Sequence, residues 1–280
     1  MKKILIILTL VLVGCKYDQT RENATWSFDS STGNYIEWQS DNDFANEMTN
    51  AAFGHIYNIE FEKAVVFFEK AISYDPSLFG PHVVLAGMAP AGSEKEKMHI
   101  DRAREKVANK NETSKLFVSL LDLPRESRFW PLLGANTHEK WAEMRAIEPK
   151  GKLIHFYYAF TIPGRDNKIR ELETLLSEIR DGVGDSKSLS VTGDHSYMEA
   201  PIVNVLGYMY YNKGDKEKSR LLFEEYMDLY PNGYNPYDSM GEFFFNEGDL
   251  EQSKVYYEKA IEKYFGATVA IERLRELNKE

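Results

Sequence analysis

Cysteine is almost missing from this chain: of 280 residues only Cys15 is one. A single thiol excludes an intramolecular disulfide framework and any cysteine-based metal site. Basic residues are in deficit, with 34 Lys and Arg against 44 Asp and Glu, for a formal net charge of −10. That balance argues against nucleic acid as a partner and against a charge-driven grip on anionic lipid; its ordinary meaning is solubility. The apolar run Ile4–Val13 is too short to cross a bilayer as a mature helix. Also missing are a Walker A sequence, a GxGxxG turn after a strand, and any Cys/His ligand spacing.

What is present in abundance is aromatic side chains, 17 Tyr and 16 Phe, and a repeat. Leu206-Gly207 recurs as Met240-Gly241, Tyr210 as Phe244, Gly214-Asp215 as Gly248-Asp249, Ser219 as Ser253 and Phe223 as Tyr257, each pair offset by 34 residues. A fixed period of this length means stacked supersecondary units that cannot bury their apolar faces alone. The small residue lets one helix of a hairpin approach the other, the aromatic four positions after the serine fills the gap between hairpins, and Gly-Asp forms the turn and caps the next helix.

This pattern resembles the tetratricopeptide repeat. The resemblance extends to 43–77, where Ala64, Phe68, Ala71 and Pro76 follow the second-helix series and Ala52 takes the place of Gly207 and Gly241. It implies an all-α fold: an α-solenoid of about six helical hairpins closed by a C-terminal capping helix over Thr268 to Glu280. Clear repeats are expected at 43–77, 200–232 and 234–266, degenerate ones over 80–182, and a loop at 183–199. In the degenerate part, Ser93 is expected to cap a helix with Glu96, and Trp141 to face inward. Two departures are mild: Ser219 and Ser253 replace the second-helix Ala, and Phe265 replaces the closing proline.

The N-terminus reads Met1-Lys2-Lys3, then the apolar run, then Leu12-Val13-Gly14-Cys15. It resembles a bacterial lipoprotein signal peptide, 1–14, ending in a lipobox. The resemblance implies cleavage before Cys15 and lipidation of Cys15. Loss of Lys2 and Lys3 leaves 32 basic against 44 acidic residues, a formal −12. Lys16 after the cysteine favours the outer membrane by analogy with enteric sorting. Residues 15–42 form a tether, or an arm whose Trp26, Phe28, Tyr35, Ile36 and Trp38 pack on the first repeat.

In tetratricopeptide proteins the first helices line a concave groove. The resemblance places Asn204, Tyr208, Tyr211 and Asn212 there in the fifth repeat, and Asp238, Glu242, Phe245 and Asn246 in the sixth. Thr49, Phe53, Ile56 and Tyr57 are their counterparts in the first. Asn amides can pair with both N–H and C=O of an extended peptide, and aromatics supply contact area. No Lys or Arg stands at these positions, so the clamp that some relatives use on a terminal carboxylate is not expected.

Catalysis finds little support. Thr137-His138-Glu139-Lys140-Trp141 begins like HExxH but lacks the second histidine. His155 falls at a core position, and Asp194-His195 among Ser188, Ser190 and Ser196 reads as loop. The sequence therefore predicts a non-enzyme without cofactor or metal: an interaction scaffold for another envelope protein, held to the membrane only by its lipid. The alternatives are a nutrient- or glycan-binding outer-membrane lipoprotein, or an outer-membrane assembly factor. Cys15→Ser is expected to move the protein from the membrane to the soluble fraction of fractionated cells; unchanged recovery with membrane lipid would disprove the anchor.

Overall fold

A computed structural model describes residues 36–37, 40–126, 130–149, 151–181 and 196–279. Cys15, the signal segment, most of the arm and the serine-rich loop with His195 lie outside them. Among the described residues the chain is helical throughout, with no helix long and apolar enough to cross a membrane.

Six helix pairs follow one another: α1 (Asp43–Tyr57) with α2 (Phe61–Tyr74), α3 (Gly80–Met88) with α4 (Glu94–Val107), α5 (Glu112–Ser119) with α6 (His138–Ile147), α7 (Lys152–Thr161) with α8 (Arg165–Arg180), α9 (Ser196–Lys213) with α10 (Lys216–Leu229), and α11 (Asn235–Glu247) with α12 (Leu250–Lys263). The last helix, α13 (Thr268–Leu277), packs on α11 and α12 and buries Ala270 and Leu277. The architecture is an α-solenoid with a capping helix.

The repeat residues act as their chemistry demands. A Cβ at Gly207 would lie 2.7 Å from the ring of Phe223, and one at Gly241 would lie 2.8 Å from the ring of Tyr257. The aromatic thus seats on the glycine of its own hairpin, and Phe223 also meets Phe243 of the next pair edge-on at 6.1 Å, filling the gap between hairpins. Gly214 and Gly248 adopt left-handed φ of 92° and 81°, which glycine tolerates. Asp215 and Asp249 accept from the backbone N–H groups of Lys218 and Gln252, capping α10 and α12. Ser219 and Ser253 are fully buried, and the Ser253 hydroxyl donates to the Gly241 carbonyl at 2.9 Å.

In the degenerate middle, Ser93 caps α4 through the Glu96 N–H, but the Glu96 carboxylate accepts from Gly92 N–H, one residue beyond the reciprocal bond of a capping box. Trp141 is fully buried, stacked on Tyr157 at 4.5 Å. The expected loop 183–199 needs correction at its end: α9 begins at Ser196, five residues before Pro201. Two residues of the arm are also fixed. Ile36 is buried, and Glu37 donates its N–H to the Ser114 hydroxyl at 2.7 Å.

The groove of the first repeat is filled, not open. Thr49, Phe53, Ile56 and Tyr57, expected to line the groove in the first repeat, are all buried. Tyr57 meets the rings of Phe156 and Tyr157 on α7 at 6.1 and 6.2 Å, and α1 also touches α9. Most of α3, the first six residues of α7 and residues 200–207 of α9 are buried. One core runs from Ile36 to Tyr226, and a second joins Tyr234, Tyr257 and Ala260 to Ala267, Ala270 and Leu277.

The turn of the first hairpin joins the two ends of the array. Ile59 and Glu60 occupy the places of Gly214-Asp215, and Ile59 holds a left-handed φ of 60°, a strained state for a β-branched residue. Glu60 makes no side-chain cap for α2. Its fully buried carboxylate instead accepts from His55 Nδ1 at 2.8 Å, Lys63 Nζ at 2.9 Å, the Tyr230 hydroxyl at 3.1 Å and the Tyr234 N–H at 2.7 Å. Burial pushes this carboxyl's pKa up, but the bonds from His55 and Lys63 outweigh burial and hold it below the usual value. Next to it Tyr226 donates to Asn58 at 3.0 Å, Tyr234 and Thr268 both donate to Glu62 at 2.6 Å, and Lys63 lies over the rings of Tyr234 and Tyr264. Gly233 permits this approach, since a Cβ there would sit 2.0 Å from the Tyr230 ring. Glu60→Ala strands the buried Tyr234 N–H and three half-buried donors and is expected to cost about 3 kcal/mol in urea unfolding, whereas a loss under about 1 kcal/mol would show that the closure is incidental.

Candidate functional site

The eight residues expected at a partner surface lie on α9 and α11, held side by side because α10 and α12 pack behind them. The structure divides them into three groups. Asn204 and Asp238, at the same place in successive repeats, are buried. Tyr208, Tyr211, Glu242 and Phe245 are half-buried. Asn212 and Asn246 are exposed.

Neighbouring repeats are laced together at these positions. The Tyr208 hydroxyl donates to the Glu242 carboxylate at 2.7 Å, and Tyr211 donates to Glu247 at 2.8 Å. Lys216 pairs with Glu247 at 2.7 Å. Tyr208 meets Phe223 edge-on at 4.9 Å, and Tyr211 meets Phe243 edge-on at 5.8 Å. Phe245 lies under the Arg273 guanidinium of α13 at 5.1 Å. The Tyr211 and Phe245 rings therefore have one side committed to packing and one side facing out. Glu247, Phe243 and Arg273 were not among the expected residues. Glu247 and Phe243 sit one or two positions off the groove register, and Arg273 arrives from the capping helix, which the repeat pattern does not reach.

The buried pair has unusual electrostatics. Neither amide atom of Asn204 has a hydrogen-bond partner, nor does Oδ1 of Asp238. Burial, and then the nearby Glu242 carboxylate, push the Asp238 pKa up to about 7 against the opposing pull of Arg273. Burial and Glu242 likewise raise the Tyr208 phenol, so it remains a hydrogen-bond donor at neutral pH. The surface thus offers acceptors and negative charge next to aromatic faces. Among the described residues no cluster of His, Asp, Glu or Cys could hold a metal ion.

His155 is buried as expected, yet it is also hydrogen-bonded, with Nε2 3.3 Å from Glu171. Asp194, His195, Ser188 and Ser190 lie outside the described residues.

Comparison with known proteins bears on the repeats that carry these residues. Two tetratricopeptide-repeat family models match the chain, one at residues 206–233 and one at 234–262. Residues 206–262 are thus tetratricopeptide repeats, and repeats of this kind support a protein–protein interaction scaffold. No curated protein matches it. A solved structure titled "Crystal structure of MamA protein" is similar over 79% of this chain and 92% of that chain, at 13% sequence identity and a TM-score of 0.34.

A raised carboxyl pKa carries a stability consequence of definite sign. Between the unfolded value of 3.8 and the folded value of about 7, the native state holds a proton that the unfolded chain has released, so stability contributed here falls as pH rises. Asp238→Asn is expected to remove about 2–3 kcal/mol of the stability difference between pH 5 and pH 8, measured as urea-unfolding free energies. An unaltered pH profile would mean that Asp238 ionises as it does in water.

Proposed function

We propose that this protein is a non-catalytic, lipid-anchored scaffold of a bacterial cell envelope, and that α9 and α11 receive a segment of another envelope protein. The observation behind this is the burial of Asn204 and Asp238, incompletely paired, beside a row of half-buried Tyr and Phe side chains. An unpaired buried polar atom costs about 1–3 kcal/mol, so two repeats that keep one at the same position favour polarity there over stability. An amide and an acid beside aromatic faces suit an extended peptide carrying a basic residue: the Glu242 carboxylate attracts the cation, Asn204 and Asp238 offer hydrogen-bonding groups, and Tyr208, Tyr211 and Phe245 give contact area at low entropic cost. The filled groove of the first repeat leaves the last two repeats as the better-suited place.

The lipobox ending at Cys15 supports the anchor, and Lys16 supports the outer membrane. Tethering would add avidity to a modest single contact. A nutrient- or glycan-binding role has less behind it, because Trp130 and Trp141 are both buried and offer no ring for stacking.

The test is a crosslinked pull-down from native envelopes with wild type and a Tyr211→Ala/Phe245→Ala variant. One protein recovered by wild type and at least fivefold depleted in the variant is the expected result. Equal recovery would move the interface off α9 and α11.

A further inference from the structure

A cleft of about 480 Å³ lies between α2 and α4, on elements that the partner surface proposed above does not use. Its size falls in the range of small-ligand sites. Ile72, Pro76 and Met98 make its wall apolar. Lys95, Met98, His99, Arg102 and Lys106 all line it from α4, and their spacing puts them on one helical stripe. In a chain of net charge −10, this stripe gathers three cations at one opening.

These cations are tied only loosely. Lys95 pairs with Glu69 at 2.8 Å, while Arg102 and Lys106 share Glu105 at 2.8 and 3.1 Å. Nearly all of these groups are about half exposed, and such pairs contribute little and exchange readily. The floor is a buried histidine pair, His82 and His99, whose Nδ1 atoms lie 2.8 Å apart. One ring must donate and the other accept, so the accepting ring is neutral. Burial depresses both, His82 to about 4, and the positive charges of Arg102 and Lys106 on His82 and of Lys95 on His99 depress them further. The field of the cations therefore reaches the floor despite their acidic partners. His99 is 4% exposed, and its Nε2 has no hydrogen-bond partner.

We propose that this cleft binds a small amphiphilic carboxylate, its apolar body against Ile72, Pro76 and Met98 and its head group between the α4 cations and His99. When His99 accepts at Nδ1 its proton sits on Nε2, which then donates toward the carboxylate. Binding selects that tautomer. Neither half of the site suffices alone: an alcohol of equal length lacks the charge, and an inorganic anion lacks the apolar body.

Calorimetric titration of the full chain with octanoate, octanol and inorganic phosphate tests this, together with nitrogen NMR of the histidine rings. Saturable octanoate binding is expected, at least tenfold tighter than octanol or phosphate, weakened at least tenfold in Arg102→Glu/Lys106→Glu, with a shift of the His99 Nε2 resonance in the wild-type chain. No saturable octanoate binding, octanol or phosphate binding as tightly, or full affinity in a variant with an unchanged melting curve would each overturn the proposal. If the variant does not fold, an unshifted His99 resonance at saturating octanoate in wild type overturns it equally.

Discussion

One buried carboxylate decides the form of this molecule. A solenoid repeat contacts only its neighbours, and such an array has no inherent reason to bring its first hairpin against its last. Here Glu60 removes that freedom. It sits in the turn where the later repeats use aspartate as a helix cap, but its side chain reaches Tyr230 and the Tyr234 backbone instead. A charge in a fully buried place is tolerable only with several donors, and those donors come from both ends of the chain. The strained φ at Ile59 is the local cost of aiming the carboxylate this way.

The closure explains the burial pattern elsewhere. With the first hairpin held against α10 and α11, α1 covers the inner side of α7 and α9, and the first helices meet as a core. Tyr57, Phe156 and Tyr157 then pack ring against ring where an open superhelix would present them to solvent. The turn-rich break near residue 130 joins the same core: a Cβ at Gly87 would sit 2.1 Å from the Trp130 carbonyl, and Trp130 donates its indole N–H to the Leu123 carbonyl at 2.9 Å. Trp130 there serves packing, not recognition.

Polarity survives mainly where packing does not demand its removal. Along α9 and α11 the acids and phenols pair across adjacent repeats, and the deeper Asn204 and Asp238 stay incompletely satisfied. On α4 the cations face outward over a neutral histidine pair. The two regions carry opposite local charge on an acidic protein, so any ligand each takes must differ in sign.

The repeat period alone determined the helical hairpins and their internal chemistry. The Gly-Asp turns and the helix caps follow from contacts within one unit, which sequence spacing encodes directly, whereas the seat of Phe223 on Gly207 and of Tyr257 on Gly241 came only with the structure. The same spacing located the row from Asn204 to Asn246, because position in a repeat fixes the side of a helix. It did not reveal how deeply each of those side chains is buried, nor that the groove of the first repeat is occupied. Those depend on contacts between residues some 170 positions apart, such as Glu60 with Tyr234, which no local period records. Ile59-Glu60 in place of Gly-Asp was a visible departure, but its meaning required knowing what stands opposite. The pairing of His82 with His99 is likewise tertiary: two helices, α3 and α4, had to pack before their imidazoles could meet.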